Sequence, residues 1–280
     1  MLQWLTINII DRLTIEIYIN HMNQKQTVGD LAQNAPQITS ARGSRVWQID
    51  VLRGVAMILM TIFHALVDIR DFFGIADLRY FEPPLLYIGR VSAILFIFIS
   101  GISCRFSRNN IKRGAKVFLC GMIVTVATYI FVRDLYIRFG ILHFLGVSMI
   151  LTGLFEHLRI DEKRERIIIW IAAPLSLFLG WLFSRVTTEI PFLFIFGVIT
   201  PKFVSYDFYP LFPWYGIYLA GYAIGRIAAQ NRIKLAGFHE NWIMSALGAL
   251  GKKSLIFYIL HQPALLIILY VINLLIKLPK

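Results

Sequence analysis

Seven long apolar segments constrain this chain more than any other feature of its sequence. A helix needs about 20 consecutive, mostly apolar residues to cross the hydrocarbon core of a bilayer, and each segment approaches that length. Charged residues make up only 16% of the chain, whereas a soluble domain carries roughly a quarter. The sequence therefore predicts an all-α polytopic integral membrane protein, with spans over about 51–69, 85–104, 114–133, 138–157, 167–184, 211–229 and 253–276.

Two regions fall outside these seven spans. The apolar stretch IPFLFIFGVI (190–199) is too short to span, so it lies at an interface or re-enters the membrane, and it makes an eighth helix only if it crosses. Residues 1–44 are an N-terminal extension, either amphipathic or disordered, to which we assign no function. They lack the basic start and the cleavage site of a signal peptide. Residues 45–280 form the membrane-embedded domain.

The basic residues alternate from loop to loop. Of the 28 Lys and Arg residues, 19 lie on one side of the predicted spans and 8 on the other, and Arg90 lies inside a span. Cytoplasmic loops carry the excess of Lys and Arg, which places the N-terminus in the cytoplasm and the C-terminus outside. This explains the net charge of +12 without a nucleic-acid partner.

The cysteines do not suggest a metal site. Cys104 and Cys120 both lie in apolar segments, and neither belongs to a CxxC or Cys/His ligand pattern. We expect two small buried residues, no disulfide and no metal.

Four polar residues share one depth inside the predicted spans. His64, Asp68, Arg90 and His143 all lie toward the outer ends of their spans, and intramembrane ionisable groups usually face a cavity or a partner. The alternative is that each residue satisfies a structural neighbour. The shared depth favours a functional cavity.

His64 and Asp68 are spaced i, i+4 and share one helix face. A carboxylate beside an imidazole fixes its tautomer and supports its cationic form, which suits a general base. A simple hydrogen-bonded pair at the interface is the alternative.

Arg53 lies eleven residues before His64. That spacing is close to three helical turns and about 16 Å, so both residues lie on nearly the same face. A ligand with an anionic head and a long thin arm fits this arrangement, and coenzyme A is such a ligand, with phosphates that pair with arginine. Alone, Arg53 would be an ordinary flanking charge of the cytoplasmic loop.

The last span adds residues to the predicted coenzyme A site. Ser254, Tyr258 and His261 form one stripe at i, i+4, i+7. Lys252 and Lys253 precede them, at a helix N-terminus of the kind that binds phosphate. The two lysines are equally well explained as positive-inside residues.

Several motifs together resemble a known family. They are QIDVLRGVAMILMTIFH, LFIFISGIS, RFGILHFLGVS, PLFPWYGIYLAGYAIGR and LGKKSLIFYILHQP, which span about residues 45–276. They resemble the bacterial branch of the heparan-α-glucosaminide N-acetyltransferase catalytic-domain family. The Arg-x10-His and YxLHQP patterns are also similar to the membrane acyltransferase-3 proteins.

The resemblance implies acetyl-CoA as a cytoplasmic acyl donor and an amino sugar or glycan acceptor on the outer side. It also implies a bacterial inner membrane, contact with membrane lipid and no metal, and it leaves a homo-oligomer open. Arg53 and His64 match the Arg-x10-His positions. The position matching His64 is Asn in the animal lysosomal enzyme, and residues 70–84 hold no histidine, so neither the animal site nor its heparan substrate transfers intact.

The sequence therefore predicts a transmembrane acetyltransferase. His64, oriented by Asp68, is the base or the acyl-carrying nucleophile, and Arg90 and His143 bind the acceptor or the developing oxyanion. Both direct and ping-pong transfer fit. The alternative is a small-solute transporter or exporter in which His64 and Asp68 relay protons. Coenzyme A binding distinguishes the two.

Overall fold

The structure is a computed structural model, and it describes residues 46–73, 85–230 and 241–277. The described residues are mainly helical, and their β-pairing is limited to two isolated bridges. This confirms the predicted all-α class. The predictions for residues 1–44 lie outside the described residues. The helices are α1 (Trp47–Phe73), α2 (Leu85–Cys104), α3 (Asn110–Phe131), α4 (Ile141–His157), α5 (Glu162–Phe183), α6 (Leu211–Gln230), α7 (Trp242–Lys252) and α8 (Ser254–Lys277).

Five of these helices are long and apolar enough to cross a membrane, namely α1, α2, α3, α5 and α8. Helix α4 has 17 residues, which is short against the usual 20 or so. It begins at Ile141 rather than near residue 138, because Gly140 is extended and Phe139 bridges Phe208. Helix α6 is not among the five, and the backbone of Phe212 in its first turn is non-helical. The count of seven spans and the cytoplasmic N-terminus therefore remain predictions.

Helix α7 is an element that the span prediction does not contain. The side chain of Asn241 caps it by accepting a hydrogen bond from the Met244 amide at 2.9 Å. The helix lies against the start of α1, where Gly54 faces the carbonyl of Leu247 and Gly251 faces the carbonyl of Asp50. A side chain at either glycine would collide with backbone, so the two helices can approach this closely only with glycine there.

The helices pack in a chain of neighbours. Helix α1 contacts α2, α7 and α8, helix α3 contacts α4, and helix α6 contacts both α2 and α5. Tyr218 and Tyr222 of α6 are fully buried with Phe144 and Met57 in the centre. Helices α3, α5 and α8 keep large apolar side chains exposed, as lipid-facing helices do, and examples are Ile123, Trp170 and Ile267.

The helix assembly has two ends, which we call the basic end and the loop end. The basic end holds the start of α1, the turns α2–α3 and α4–α5, and helix α7. The loop end holds residues 132–140 and 184–210. Backbone amides of Tyr206 and Tyr209 donate to the carbonyls of Leu135 and Phe139, each at 2.9 Å, and join the two segments of the loop end.

The apolar stretch 190–199 lies in the loop end. It contains a six-residue 3₁₀ helix, Pro191–Phe196, which covers only about 12 Å at the 3₁₀ rise. A hydrocarbon core is about 30 Å thick, so this helix does not cross it. The expectation of a non-spanning piece agrees with this geometry.

A buried network of ion pairs and hydrogen bonds lies at the basic end. Nη1 of Arg226 lies 2.6 Å from Glu165, and the hydroxyl of Tyr222 lies 3.1 Å from the carboxylates of both Glu165 and Glu156. Arg105 reaches Glu165 at 3.5 Å. By sequence, Arg105 and Arg226 count only as loop charges, yet both hold helix ends together.

Candidate active site

A cavity of about 680 Å³ opens at the basic end. It is lined by residues from α1, α2, the α2–α3 turn, α3, α4, the end of α7 and the start of α8. Arg53, Lys252, Lys253 and Ser254 all line it, so the structure brings together four of the residues predicted to bind coenzyme A. Tyr258 and His261 are not among its lining residues. Two further cations, Arg113 and Lys116 of α3, line the same cavity, and the sequence assigned them only to a loop.

Arg53 is held in place at this cavity from two helices. Its Nη1 donates to Oδ1 of buried Asp50 at 3.0 Å, one turn earlier on α1. Its Nη2 donates to the hydroxyl of Ser103 on α2. That hydroxyl in turn donates to the carbonyl of Ile99 at 2.7 Å. The guanidinium is therefore oriented before any ligand binds, which lowers the entropic cost of binding an anion.

A polar cluster lies deeper, between α1 and α8. The rings of His64 and His261 lie 5.1 Å apart, centroid to centroid. Beside them, Nε2 of Gln262 lies 3.0 and 2.9 Å from the two carboxylate oxygens of buried Asp68. We call His64, Asp68, His261 and Gln262 the histidine cluster. The cluster contains the predicted catalytic pair, His64 and Asp68. It also contains His261, which was predicted to bind the coenzyme, and Gln262, which the sequence prediction did not include.

Asp68 has a different partner from the one the sequence suggests. Within the described residues its carboxylate accepts from Gln262, and no hydrogen bond joins it to His64. The i, i+4 spacing places Asp68 and His64 on one face, but Gln262 of α8 takes the carboxylate. Sequence could have drawn attention to Gln262 beside His261, because two adjacent polar residues inside an apolar span are costly unless partnered.

His261 presents a free acceptor atom. Its Nδ1 lies 2.6 Å from the carbonyl oxygen of Tyr258, and since a carbonyl can only accept, Nδ1 carries the proton. Its Nε2 is buried and has no hydrogen-bond partner among the described residues. Oε1 of Gln262 is likewise buried and unpartnered there.

His143 lies elsewhere and is fully bonded. Its Nδ1 accepts from the amide of Gly140 at 3.2 Å, which caps α4. Its Nε2 lies 3.2 Å from the hydroxyl of Thr125. That hydroxyl already donates to the carbonyl of Ile137 at 2.7 Å, so Nε2 is the donor. Both ring nitrogens already have partners within the fold. Neither nitrogen is free to bind an acceptor, which was the role predicted for His143.

Arg90 does not join the histidine cluster either. It is exposed on the outer face of α2, beside the exposed side chains of Tyr87, Val91 and Ile94. The shared depth of the four predicted residues therefore does not create one site. Depth follows from position along a helix, whereas the direction of a side chain depends on which helices surround it.

Tyr258 ties α8 to the loop end. Its hydroxyl lies 3.5 Å from Oδ2 of Asp207, and the same oxygen accepts from the amide of Ile141 at 3.0 Å. Asp207 thus satisfies the first turn of α4. Burial raises the pKa of the Asp207 carboxyl to about 6, while the two hydrogen bonds oppose the rise. Tyr258 acts here as a link between segments rather than as a cavity residue.

Both cysteines are free, and only one of them is buried as predicted. Cys104 is buried with Sγ 2.7 Å from the hydroxyl of Tyr218, whereas Cys120 is half-buried. The part of the chain that the structure describes has no group of three or more His, Cys, Asp or Glu that could hold a metal ion.

Comparison with known proteins identifies a family. A family model described as heparan-alpha-glucosaminide N-acetyltransferase, catalytic, matches residues 45–263. The match therefore runs from the start of α1 into α8 and contains Arg53, His64 and His261. No curated protein and no solved structure matches the chain. The family match covers well over half of the sequence, and the chain therefore belongs to the heparan-alpha-glucosaminide N-acetyltransferase catalytic family of membrane acetyltransferases.

Proposed function

We propose that this membrane acetyltransferase binds acetyl-CoA in the cavity at the basic end and passes the acetyl group to an amino sugar or glycan on the opposite side. The observation that carries the proposal is the meeting of Arg53, Lys252, Lys253 and Ser254 in one cavity. The loop charges predict that this end faces the cytoplasm, where acetyl-CoA is made. We place the protein in a bacterial inner membrane.

The cavity has the chemistry that coenzyme A requires. Five cationic side chains line it, and Arg53 is fixed by Asp50 and Ser103. The N-terminus of α8 at Ser254 offers backbone amides as well, and such termini favour phosphate. The five cations are Arg53, Arg113, Lys116, Lys252 and Lys253.

The histidine cluster lies within reach of this cavity. His64 is eleven residues along α1 from Arg53, about 16 Å at the helical rise. The arm of coenzyme A would bring the thioester from the phosphate sites toward His64. There His64 serves as the base or as the group that carries the acetyl between donor and acceptor. Both routes end in the same products, an acetylated acceptor and free coenzyme A.

Radiolabelled acetyl-CoA tests the proposal. Purified full-length protein in detergent is incubated with it and with a panel of amino sugars, and binding, self-labelling and transfer are followed. Arg53→Ala should weaken acetyl-CoA binding by about 10- to 100-fold, the value of a charge-assisted hydrogen bond. His64→Ala should leave binding intact and lower transfer by about 10²–10⁴.

Arg166→Ala is the matched control, because Arg166 is an exposed cation on α5 outside the cavity. It should keep both binding and transfer. If Arg53→Ala and His64→Ala both retain full transfer, the proposed site is wrong. A wild-type protein that binds no acetyl-CoA would instead favour a transporter.

A further inference from the structure

We propose that His261 is the base that removes the proton from the amino or hydroxyl group of the acceptor. This inference rests on the proposed acetyltransferase function. It gives the role of base to His261 and leaves His64 as the group that carries or orients the acetyl group. The sequence placed His261 with the coenzyme, but the structure places it against His64 and outside the lining of the cavity.

The tautomer of His261 is fixed by its own helix. Nδ1 lies 2.6 Å from the carbonyl oxygen of Tyr258, which has no proton to give. In the neutral imidazole the proton is therefore on Nδ1, and Nε2 carries the lone pair. A base needs this arrangement, with one nitrogen anchored as a donor and the other available as an acceptor.

The available nitrogen is buried and has no partner. His261 is 8% exposed, and its Nε2 bonds to nothing among the described residues. More than nine in ten buried polar groups in proteins are paired, so an unpaired one indicates a functional atom or a missing ligand. Oε1 of Gln262, the next residue, is a second buried acceptor without a partner. A free acceptor such as Nε2 of His261 matches a ligand that brings a hydrogen-bond donor, as an amine or a hydroxyl does.

His143, which was predicted at the depth of His64, makes the contrast. His143 accepts through Nδ1 from Gly140 and donates through Nε2 to Thr125, so the fold uses both nitrogens. His261 has one nitrogen left over. The difference separates a structural histidine from one equipped for proton transfer.

The position of His261 suits the acceptor step. It lies seven residues along α8 from Ser254, about 10 Å at the helical rise, and its ring centroid is 5.1 Å from that of His64. A new bond forms between the acceptor nitrogen or oxygen and the acetyl carbon, and the acceptor proton moves to Nε2 of His261. The bond from the acetyl carbon to its carrier breaks, and the electron pair returns to the coenzyme A sulfur or to the His64 nitrogen. The proton on His261 then passes to the thiolate or to solvent.

Other titratable groups surround this base. His64 contacts it from α1, and Tyr258 contacts it from its own helix. Asp68 of α1 bonds to the neighbouring Gln262. The charged side chains of the cavity are Asp50, Arg53, Arg113, Lys116, Lys252 and Lys253.

The test compares His261→Gln and His261→Asn with wild type in purified full-length protein. Transfer from radiolabelled acetyl-CoA to glucosamine is measured at saturating donor from pH 5 to 9, and acetyl-CoA affinity is measured separately. We expect kcat to fall by about 10²–10⁴ with acetyl-CoA affinity within about twofold of wild type. We also expect the wild-type acidic limb to be replaced by a rate that keeps rising with hydroxide concentration, because solvent then takes the proton.

His157→Gln is the matched control. His157 makes the same local bond, with Nδ1 2.7 Å from the carbonyl of Gly153, but it lies at the end of α4. It should keep the wild-type rate and pH profile. A His261→Gln enzyme with wild-type kcat overturns the inference, and so does a uniform loss of rate with an unchanged pH profile. If a loss of acetyl-CoA affinity accounts for the whole loss of rate, His261 belongs to the coenzyme site and the inference is also overturned.

One measurement does not depend on the variants folding. In single turnovers of wild type limited by chemistry, a base in the acceptor step predicts a normal solvent deuterium isotope effect on transfer. Equal rates in the two solvents would falsify that step. If the wild-type protein neither binds acetyl-CoA nor transfers its acetyl group, the proposed function is wrong. If wild type and His261→Gln are both active, only this inference is wrong.

Discussion

Gln262 and Asp68 are 194 positions apart in sequence, and Nε2 of the glutamine lies 3.0 and 2.9 Å from both carboxylate oxygens of the aspartate. The contact joins α1 to α8 beside the rings of His64 and His261. It fixes the relative position of the two helices that supply the histidine cluster. A change at either residue should therefore affect both stability and transfer.

Gln262→Glu should replace this hydrogen bond with two opposed carboxyl groups. We expect a loss of about 1.5–3 kcal/mol in the free energy of unfolding, the value of a hydrogen bond to a charged group. Adding Asp68→Asn should restore most of the loss, because the amide and the carboxylate then exchange places. Thermal unfolding in detergent measures both. Asp68→Asn alone keeps an amide–amide bond and is the control, and a double variant no more stable than Gln262→Glu would contradict the prediction.

Glu165→Gln should destabilise the basic end. The Arg226 side chain is 5% exposed and lies 2.6 Å from Glu165, and removing one partner of a buried pair typically costs about 3–5 kcal/mol. Glu162, at 3.3 Å, compensates in part, so we expect about 3 kcal/mol. The control is Arg164→Ala, which breaks an exposed pair with Asp161 and should cost at most about 1 kcal/mol. Equal unfolding temperatures for the two variants would show that the network does not hold the helix ends.

Gly221→Ala should separate α6 from α2. A methyl group at residue 221 would meet the backbone carbonyl of Phe98, which cannot move aside as a side chain could. We expect a loss of about 1–3 kcal/mol or more, as in overpacked cores. Gly248→Ala is the control, because the nearest atom there is Cγ2 of Val51 at 3.7 Å. Since alanine favours a helix over glycine by about 1 kcal/mol, that variant should be neutral or more stable. Similar losses at both sites would argue against the close helix contact.

Asp207→Asn should change the dependence of stability on pH. Burial raises the pKa of this carboxyl from 3.8 to about 6, so folding favours the protonated form. The stability this provides is complete below pH 3.8 and is lost as the pH rises toward 6. Asparagine keeps an uncharged acceptor for the Ile141 amide at every pH. Relative to wild type, the variant should gain stability between pH 4 and pH 7, by on the order of 2–3 kcal/mol.

Thermal unfolding of both proteins across this pH range checks the prediction. Asp207→Ala is the comparison, because it removes the acceptor for the first turn of α4 and should be less stable than asparagine at each pH. A constant difference between wild type and Asp207→Asn over the whole range would mean that the carboxyl does not titrate in the folded protein as described.

Sequence alone determined the local features of this protein. Apolar length predicts the helical class, and the residue spacing of α1 places Arg53 and His64 on nearly one face, about 16 Å apart. The sequence predicts that LGKKS is a basic helix start; in the structure Lys252 ends α7 and α8 begins at Ser254. Lys252, Lys253 and Ser254 line the cavity with Arg53. These properties depend only on the rise and period of a helix, so neighbouring residues are enough to reveal them.

Only the tertiary structure decided which polar groups meet. It placed His64 against His261 and paired Asp68 with Gln262, turned Arg90 outward, and used one nitrogen of His143 to cap α4 and the other to bond Thr125. In a membrane protein the lipid-facing and protein-facing sides of a helix are both apolar, so the sequence gives depth along the helix but little about direction around it. That direction is set by close contacts between helices far apart in the chain, such as Gly54 with Leu247 and Gly221 with Phe98. No local pattern records those contacts, because they depend on how the helices pack together.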